Sequence, residues 1–263
     1  MIPKVIHYCW FGRNPLSKLS KKCINSWKKY CPDYEIIEWN EDNFDINSNQ
    51  YVKEAYEAQK WAFVSDYVRL YVLYYYGGIY ADTDAEFIKP MDEFLKYPAF
   101  SGFESNCDIP TAVMGAEKNN TWIGKLLEYY DDKHFIMSDG TYDMTTNVVT
   151  ITNITKENYN IKLNDTTQCI DGVFILFPHD FFCPKNYDTG EIKLTANTHA
   201  IHHFNGSWHS EEERKNHNKR HRYIKFFGRN VGKKLFFLIT VLKKRDGSFK
   251  KWVIHFLKKQ LKK

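Results

Sequence analysis

The beginning of the chain alternates between strand and helix patterns, and this alternation restricts the fold more than any other feature. An apolar segment at 5–10 is followed by apolar residues at helical spacing over 16–30. Pro32 and Asp33 then separate this helix from a second strand pattern at 34–39. A strand, a helix and a strand in this order form the β-α-β opening of a nucleotide-binding α/β fold.

Similar patterns continue to residue 204. Helices are predicted over 52–76, where Gly77 and Gly78 end the helix, and over 121–131. Further strands are predicted at 79–81, 98–103, 111–116, 173–177 and 200–204. The N-terminal residues form the first strand, so we expect no signal peptide, and no apolar run reaches the roughly 18 residues of a membrane-spanning helix.

Composition excludes several classes of protein. With 263 residues, of which 43% are hydrophobic and 17% aromatic, the chain can fill a large core, so global disorder is excluded. The six cysteines contain no Cys-x-x-Cys pair, which argues against a zinc ribbon and a small disulfide scaffold. Scattered free thiols suit a reducing compartment, and we therefore expect a cytoplasmic protein.

Charge divides the chain into two parts. Residues 220–263 contain 15 lysines and arginines and one acid, Asp246, whereas residues 1–219 contain 22 basic and 31 acidic residues. An acidic body with a basic end suggests one chemical and one electrostatic role. We expect a catalytic domain over 1–215 and a basic helical extension over 216–263 that binds an anionic partner.

Two carboxylates follow the short strand at 79–81. Asp82 and Asp84, in the triplet Asp82-Thr83-Asp84, lie at the carboxyl end of that strand, where ligands bind in open α/β sheets. Carboxylate oxygens suit magnesium or manganese, and such ions usually bind phosphate oxygens. An isolated Asp-x-Asp triplet is more often a loop or helix-capping sequence, so its surroundings decide.

A polar stripe interrupts the aromatic helix that precedes this triplet. Ala62, Ser65, Asp66 and Arg69 share one helix face. In one interpretation, Asp66 and Arg69 form a surface salt bridge that involves no other group. In the other, both side chains face the same cleft as Asp82.

Four separated motifs occur in the same order as in glycosyltransferase family 32, a family of sugar transferases with an Asp-x-Asp motif. The motifs that carry this resemblance are Ile2–Gly12, Trp61–Arg69, Tyr76–Asp84 and His202–Trp208. The resemblance covers about residues 1–210. It implies a GT-A fold, with a Rossmann-like sheet flanked by helices, and a nucleoside-diphosphate sugar donor whose anomeric configuration is retained.

The resemblance also implies roles for individual residues. Trp10 resembles the aromatic residue that stacks on the donor base, Asn40 a base or ribose contact, and Ala62 and Ser65 the lining of the nucleotide site. Asp66 and Arg69 resemble the groups that hold the donor sugar, and Asp82 the carboxylate that reaches the ribose, the sugar and the metal. On this basis Asp66, Arg69 and Asp82 are the predicted catalytic residues, and Trp208 is expected near the diphosphate.

The resemblance further implies a divalent cation, manganese or magnesium. Asp84 is the predicted direct ligand, with Asp82 in the metal shell and a late contact from His202 or His203. Strand alternation sends these two histidines to opposite faces, so we expect only one of them to be a ligand, and the sequence leaves both open.

Asn147 lies where relatives place a sugar contact, although many relatives have a Gly-Pro-like sequence there. Residues 105–110 and 155–171 match no motif, and we expect them to shape the acceptor pocket.

The last residues have the pattern of an amphipathic helix. Apolar side chains from Phe249 to Leu261 share one face, and lysines flank it. This pattern is typical of a helix that lies at a membrane interface. Packing on the catalytic body is the alternative, and the absence of a nucleic-acid-binding motif argues against nucleic acid as a partner.

Together, these features predict a metal-dependent retaining glycosyltransferase, peripheral at the inner face of the membrane. It would transfer a hexose, with a UDP-sugar favoured as donor, to a lipid-linked capsule or cell-surface glycan. One alternative is a protein-glycosylating enzyme of the same fold. A second is a non-catalytic basic module that binds membrane or nucleic acid.

Overall fold

The computed structural model describes residues 1–104, 107–206 and 211–244. The chain divides into two compact units. The first consists of Met1–Asn186 and Ile192–Trp208, and the second of Tyr187–Glu191 and His209–Lys263.

The first unit contains nine strands and five helices within the described residues. The strands are β1 (Val5–Cys9), β2 (Glu35–Trp39), β3 (Gly78–Ala81), β4 (Ala85–Phe87), β5 (Ala99–Gly102), β6 (Val113–Ala116), β7 (Gln168–Ile170), β8 (Phe174–Phe177) and β9 (Ala200–His202). The helices are α1 (Lys18–Tyr30), α2 (Gln50–Glu57), α3 (Trp61–Tyr75), α4 (Thr121–Leu127) and α5 (Asn147–Asn158). The predicted α/β class, with helices around a central sheet, is confirmed.

Seven strands form one mixed sheet in the order β2-β1-β3-β6-β5-β8-β7, and β4 pairs with β9 in a separate two-stranded sheet. Strands β1, β2 and β3 are parallel, as are β5 and β8, and β6 is antiparallel to both β3 and β5. The carboxyl ends of β1, β2, β3, β5 and β8 therefore lie at the same edge of the sheet.

Two apolar cores cover the two faces of the sheet. Ile6 and Tyr8 of β1 pack in the core that contains the buried face of α1, whereas Cys9 packs in the core that contains α3. The same separation holds in β3, where Ile79 joins the first core and Tyr80 the second. Because side chains alternate along a strand, both faces of the central strands are buried, as their nearly continuous apolar sequences require.

The predicted continuous helix over 52–76 is wrong, because the structure has two helices, α2 and α3. Gln59 adopts a positive φ of 57°, and this left-handed conformation cannot continue a right-handed helix. Ala58 caps α2, and Trp61 begins α3. The break separates the polar stripe of α3 from the residues of α2.

Gly77 sets the direction in which the chain enters β3. It follows the end of α3 with a φ of +69°, and a Cβ at this position would lie 2.9 Å from the backbone nitrogen of Lys118. Only glycine fits both conditions without strain. The predicted end of the helix at this pair of glycines is confirmed, and Asp82 follows β3 directly.

Within the described residues, the second unit contains two helices, α6 (Glu211–Phe227) and α7 (Arg229–Lys244), which pack against each other. The boundary predicted at residue 215 lies inside α6. The amphipathic pattern predicted from Phe249 to Leu261 lies outside the described residues. None of the described helices combines the length and the apolar character that a membrane-spanning segment requires.

Candidate active site

A single edge of the sheet collects polar residues from several strands. The residues that follow β1, β2, β3, β5 and β8 at this edge include Trp10, Asn40, Asp82, Glu104 and His179. Ligands bind at this kind of edge in open α/β sheets, since the loops that follow the strands meet there.

Arg69 lies at the centre of the polar groups that α3 and β3 bring together. Its Nη2 donates to Asp66 Oδ1 at 3.1 Å, its Nη1 to Asp82 Oδ1 at 3.2 Å, and Nη1 also to the Thr111 carbonyl at 3.1 Å. Its Nε donates to the Ser65 carbonyl at 3.2 Å. Nearly the whole guanidinium is therefore engaged, and its side chain is 6% exposed.

A buried ion-pair network distinguishes the two interpretations of the polar stripe. The salt bridge between Asp66 and Arg69 exists, but it is buried and it continues to Asp82, so the isolated surface pair is wrong. Tyr80 packs its ring 4.7 Å from the Arg69 guanidinium, and its hydroxyl donates to Asp82 at 3.0 Å. Burial raises the pKa of Asp66 to about 7, although Arg69 opposes this rise.

A second cluster lies beside the first and contains Asp82, Asp84 and His202. One ligand atom from each of these residues lies within 4.8 Å of the others. His202 Nε2 is 3.5 Å from Asp84 Oδ1, and the backbone N–H of Asn205 donates to Asp84 Oδ2 at 2.6 Å. The cluster is thus formed by two carboxylates and one imidazole.

The pairing of β4 with β9 explains how residues so distant in sequence meet. The N–H of Ala85 donates to the carbonyl of Asp82 at 2.8 Å, which forms a turn between β3 and β4. Ala85 then pairs with His202 in the two-stranded sheet. This register places the imidazole of His202 beside the carboxylate of Asp84.

The structure chooses between the two histidines that the sequence left open. His203 Nε2 lies 2.8 Å from Glu86 Oε2, and Glu86 also accepts from Lys22 at 2.7 Å. His203 therefore faces away from Asp84, as strand alternation requires. Among the residues that the structure describes, His202 and not His203 joins the two aspartates.

Charge couples Asp84 to His202. Burial raises the pKa of Asp84, but His202 and the N–H of Asn205 outweigh it and lower the pKa to about 2. Burial likewise lowers the pKa of His202, but Asp84 outweighs it and holds the pKa well above the usual value. Asp84 is therefore ionised at neutral pH.

The donor set fits a divalent cation. Asp66, Asp82 and Asp84 bring three carboxyl groups into a region where Arg69 is the permanent cation among the side chains described above. Two carboxylates and an imidazole are ligands that manganese accepts readily, whereas magnesium prefers oxygen ligands alone. Asp82, Asp84 and His202 are the residues that would hold the ion, which would displace the proton that Asp84 favours on His202.

The predicted nucleotide contacts lie around the same edge. Trp10 is half-buried after β1, and its indole N–H donates to the Asn14 carbonyl at 2.5 Å. Asn40 follows β2 and donates to Glu38 at 2.8 Å. Ala62 and Ser65 are half-buried on α3.

Ser65 Oγ donates to the Trp61 carbonyl at 3.0 Å, which is an intrahelical bond. Trp208 lies outside the described residues, and its predicted place near the diphosphate stays a prediction.

Asn147 is buried, and its position connects it to Asp66. Its Nδ2 donates to the backbone carbonyl of Asp66 at 3.1 Å, and its Oδ1 lies 3.5 Å from the hydroxyl of Tyr130. It is the first residue of α5, so this bond fixes the start of α5 against the middle of α3. The Asn147 amide therefore positions Asp66, whether or not Asn147 also contacts a sugar.

Sequence reasoning missed Glu104 and Cys183. Glu104 is half-buried two residues after β5, and no hydrogen bond to its carboxylate occurs within the described residues. Burial raises the pKa of Glu104 to about 7, and the nearby His202 opposes this rise. The Sγ of Cys183 lies 3.8 Å from His202 Nδ1.

One signal could have found Glu104, since it comes directly after the strand predicted at 98–103. None marks Cys183, which reaches His202 through tertiary packing.

Comparison with known proteins identifies the region that carries this site. Residues 17–101 match the family model described as "Glycosyltransferase sugar-binding region containing DXD motif". This segment includes the polar stripe of α3 together with Asp82 and Asp84, so the resemblance inferred from the sequence is confirmed. The structure around it is a mixed sheet with flanking helices, which is the α/β class that the resemblance implies.

Curated relatives share part of this chain. Inositol phosphoceramide mannosyltransferase 3 of Schizosaccharomyces pombe is 31% identical over 46% of this chain and 35% of the relative. Inositol phosphoceramide mannosyltransferase 2 of the same organism is 22% identical over 81% of this chain and 59% of the relative.

Mannosyl phosphorylinositol ceramide synthase SUR1 of Saccharomyces cerevisiae is 28% identical over 52% of this chain and 37% of the relative. The chain thus spans less than two thirds of the length of these relatives.

Two solved structures are partly similar to this chain. The PaToxG glycosyltransferase has a TM-score of 0.46 and 20% identity, covering 60% of this chain and 70% of its own. A glycosyltransferase involved in the glycosylation of the major capsid of PBCV-1 also has a TM-score of 0.46, with 13% identity over 82% of this chain and 98% of its own.

Proposed function

We propose, from the DXD-containing sugar-binding region over residues 17–101, that this chain is a metal-dependent retaining glycosyltransferase. It transfers a hexose from a nucleoside-diphosphate sugar to a hydroxyl group of a glycan acceptor. The bond from the anomeric carbon to the diphosphate breaks, a bond from that carbon to the acceptor oxygen forms, and the proton of the acceptor hydroxyl passes to the leaving diphosphate. The observation that carries the proposal is the cluster of Asp82, Asp84 and His202 beside the buried Arg69.

The donor sugar is held by the polar stripe of α3. Arg69 is fixed by four acceptors, so its position costs no reorganisation when a donor binds. Asp66 lies beside it, and the side-chain amide of Asn147 donates to the backbone carbonyl of Asp66. A carboxylate at this place stabilises the positive charge that develops at the anomeric carbon as the bond breaks.

The diphosphate that leaves carries new negative charge. A divalent cation held by Asp82, Asp84 and His202 would supply charge stabilisation for its oxygens. Trp10 and Asn40 lie at the carboxyl ends of β1 and β2, where they can contact the base and ribose. The sequence favours uridine as the base, and the names of the relatives make a mannosyl donor the first alternative to test.

The acceptor side is the part of the edge beyond β5 and β8. Glu104 offers a half-buried carboxylate there that no described residue engages, and it suits a contact with an acceptor hydroxyl. The relatives carry inositol phosphoceramide in their names, so we propose a hydroxyl-rich, lipid-linked acceptor.

A thermal-shift experiment tests the donor side. Manganese together with the matching nucleotide sugar should raise the melting temperature by about 5 °C at saturating concentrations. UDP-glucose, UDP-galactose and GDP-mannose form the first screen, and donor hydrolysis in the same samples should require manganese.

Asp84→Asn is the test variant, because the amide oxygen can still accept from the N–H of Asn205. We expect it to lose the manganese-dependent shift and at least about 100-fold of the hydrolysis rate. Asp33→Asn, at an exposed carboxylate, is the control and should behave as the wild type. Full hydrolysis by Asp84→Asn, or by the wild type in chelator, contradicts the proposal.

A second variant separates donor from acceptor. Glu104→Gln should reduce transfer to inositol phosphoceramide about tenfold or more while hydrolysis of the donor by water stays within about twofold. Glu35→Gln, on the exposed surface, is its control. Equal loss of both reactions would place Glu104 on the donor side instead.

A further inference from the structure

The second unit exposes an apolar tip. Helices α6 and α7 form a hairpin, and we call residues 225–231, where α6 ends and α7 begins, the hairpin tip. Phe226 is 86% exposed, Val231 58% and Phe227 48%. The rings of Phe226 and Phe227 lie 5.6 Å apart, so they form one continuous apolar surface.

The hairpin holds this tip in a defined conformation. Gly228 turns the chain with a φ of +77°, and Gly232 allows the two helices to approach closely. A Cβ at Gly232 would lie 2.5 Å from the backbone oxygen of Tyr223. The ring of Tyr223 also lies 6.1 Å from that of Phe236 across the pair of helices. The exposed phenylalanines are therefore carried by packed helices and not by a loose loop.

Basic side chains near the tip form two groups, one that pairs within the second unit and one that is exposed. Arg220 and Lys233 both bind Asp188 within the second unit, at 2.6 and 2.7 Å. Arg222, Lys225 and Lys234, in contrast, are exposed, and no ion pair to them is present in the part of the chain that the structure describes. From Arg214 to Lys244 the sequence contains no acid.

We propose that the hairpin tip inserts Phe226 and Phe227 into the interface of an anionic membrane while Arg222, Lys225 and Lys234 contact lipid phosphates. Exposed aromatic residues beside lysines and arginines are the combination that binds this interface, because apolar burial and attraction to anionic lipid add together. A binding surface for nucleic acid would use the cations but would gain little from a projecting Phe-Phe pair. The inference does not depend on the proposed transferase activity.

Co-sedimentation with vesicles tests the proposal on the full chain. The probes are vesicles of phosphatidylcholine alone and of phosphatidylcholine with phosphatidylserine, each at about 0.1 M and 1 M salt. We expect binding to the anionic vesicles, weakened at high salt because the screening length falls from about 10 Å to about 3 Å.

The double variant Phe226→Ser/Phe227→Ser should bind the anionic vesicles about tenfold more weakly, and this ratio should persist at high salt, since the lost term is apolar. Phe237→Ser is the matched control, because Phe237 is 70% exposed on α7 but lies outside the tip. It should bind within about twofold of the wild type. Helix content by circular dichroism verifies that the variants remain folded.

Three results would overturn the proposal. In the first, the double variant binds anionic vesicles as tightly as the wild type. In the second, Phe237→Ser weakens binding as much as the double variant does, so that the whole hairpin and not its tip makes the contact. In the third, the wild type ignores both vesicle types and binds a single-stranded RNA oligonucleotide instead.

Discussion

Arg69 is both a predicted contact of the donor sugar and part of the buried core. From the sequence alone, its replacement by alanine is expected to lower turnover with little effect on stability. The structure changes this expectation, because Arg69 is buried and neutralises Asp66 and Asp82. Removing one partner of a buried ion pair leaves the other charge uncompensated, which typically costs about 3–5 kcal/mol.

Arg69→Lys is therefore the more informative change. Lysine keeps the positive charge but cannot reach four acceptors from a single nitrogen, so we expect a loss of about 1–3 kcal/mol of unfolding free energy. Donor hydrolysis should fall by about 100-fold or more. Urea unfolding and a hydrolysis assay measure the two effects.

Arg222→Lys, at an exposed position on α6, is the matched control and should change neither. An Arg69→Lys protein with lowered stability and full activity would mean that Arg69 serves the core alone.

At the scale of elements, α2 anchors the segment between α4 and α5. Glu54 of α2 accepts from the backbone N–H groups of Phe135 and Ile136 at 2.7 and 2.9 Å. It also contacts His134 at 2.7 Å and accepts from Gln50 at 2.8 Å. Burial raises the pKa of Glu54, but these hydrogen bonds outweigh it and lower the pKa to about 2.

This arrangement predicts a pH dependence of stability. Since the pKa of Glu54 is lower in the folded than in the unfolded state, its contribution is complete above about pH 4.5 and is lost as pH falls through about 2. Glu54→Gln should cost about 1–3 kcal/mol at pH 7, and the difference from the wild type should shrink between pH 4.5 and pH 2.5. Urea unfolding at each pH measures it.

Glu57→Gln, one helical turn further and exposed, serves as the control for the change of charge. A difference between wild type and Glu54→Gln that stayed constant down to pH 2.5 would contradict the assignment.

The hairpin of α6 and α7 has its own structural requirement at Gly232. Alanine there would place a methyl group against the backbone of Tyr223 and Ile224, at 2.5–2.6 Å, so the helices must separate. We expect Gly232→Ala to cost about 1–3 kcal/mol in the second unit. Hydrogen exchange of α6 and α7 should then accelerate, whereas Val231→Ala, at an exposed neighbour, should leave it unchanged. Unchanged exchange in Gly232→Ala would argue against close helix packing.

At the scale of the whole molecule, the candidate active site and the basic helices belong to different units. Asp66, Arg69, Asp82, Asp84 and His202 all belong to the first unit. The basic helices belong to the second. We therefore propose that the first unit contains the donor site in full and that the second unit holds the protein at a membrane, with the cytoplasmic location still a prediction.

A chain that ends after residue 210 tests this division. It lacks α6 and α7, and it should keep manganese-dependent hydrolysis of the donor within a few fold while losing binding to anionic vesicles. Transfer to a lipid-linked acceptor should decrease more than hydrolysis, because the enzyme no longer shares a surface with the acceptor. If hydrolysis disappears while the shortened chain remains folded, the donor site extends into the second unit.

The sequence by itself determined most of the local elements and the two carboxylates that follow β3. Periodicity located the β-α-β opening, because apolar residues recur at one spacing in a strand and at another in a helix. The pair of glycines located the start of β3. The exceptions are Gln59, where one left-handed residue divides a pattern that reads as a single helix, and the elements β4, β7 and α5, which no sequence pattern predicted. Asp82 and Asp84 could be found because their strand and their spacing lie within one short segment.

Only the tertiary structure decided which distant groups join them. The pairing of β4 with β9 selects His202 over His203, and the packing of α3 against β3 turns a local pair of Asp66 and Arg69 into a buried network with Asp82. Glu104 follows a strand that the sequence predicts, but its place near His202 depends on the order of the strands, which is set by the whole chain. Contacts between residues far apart in sequence depend on register and packing, which no local pattern encodes.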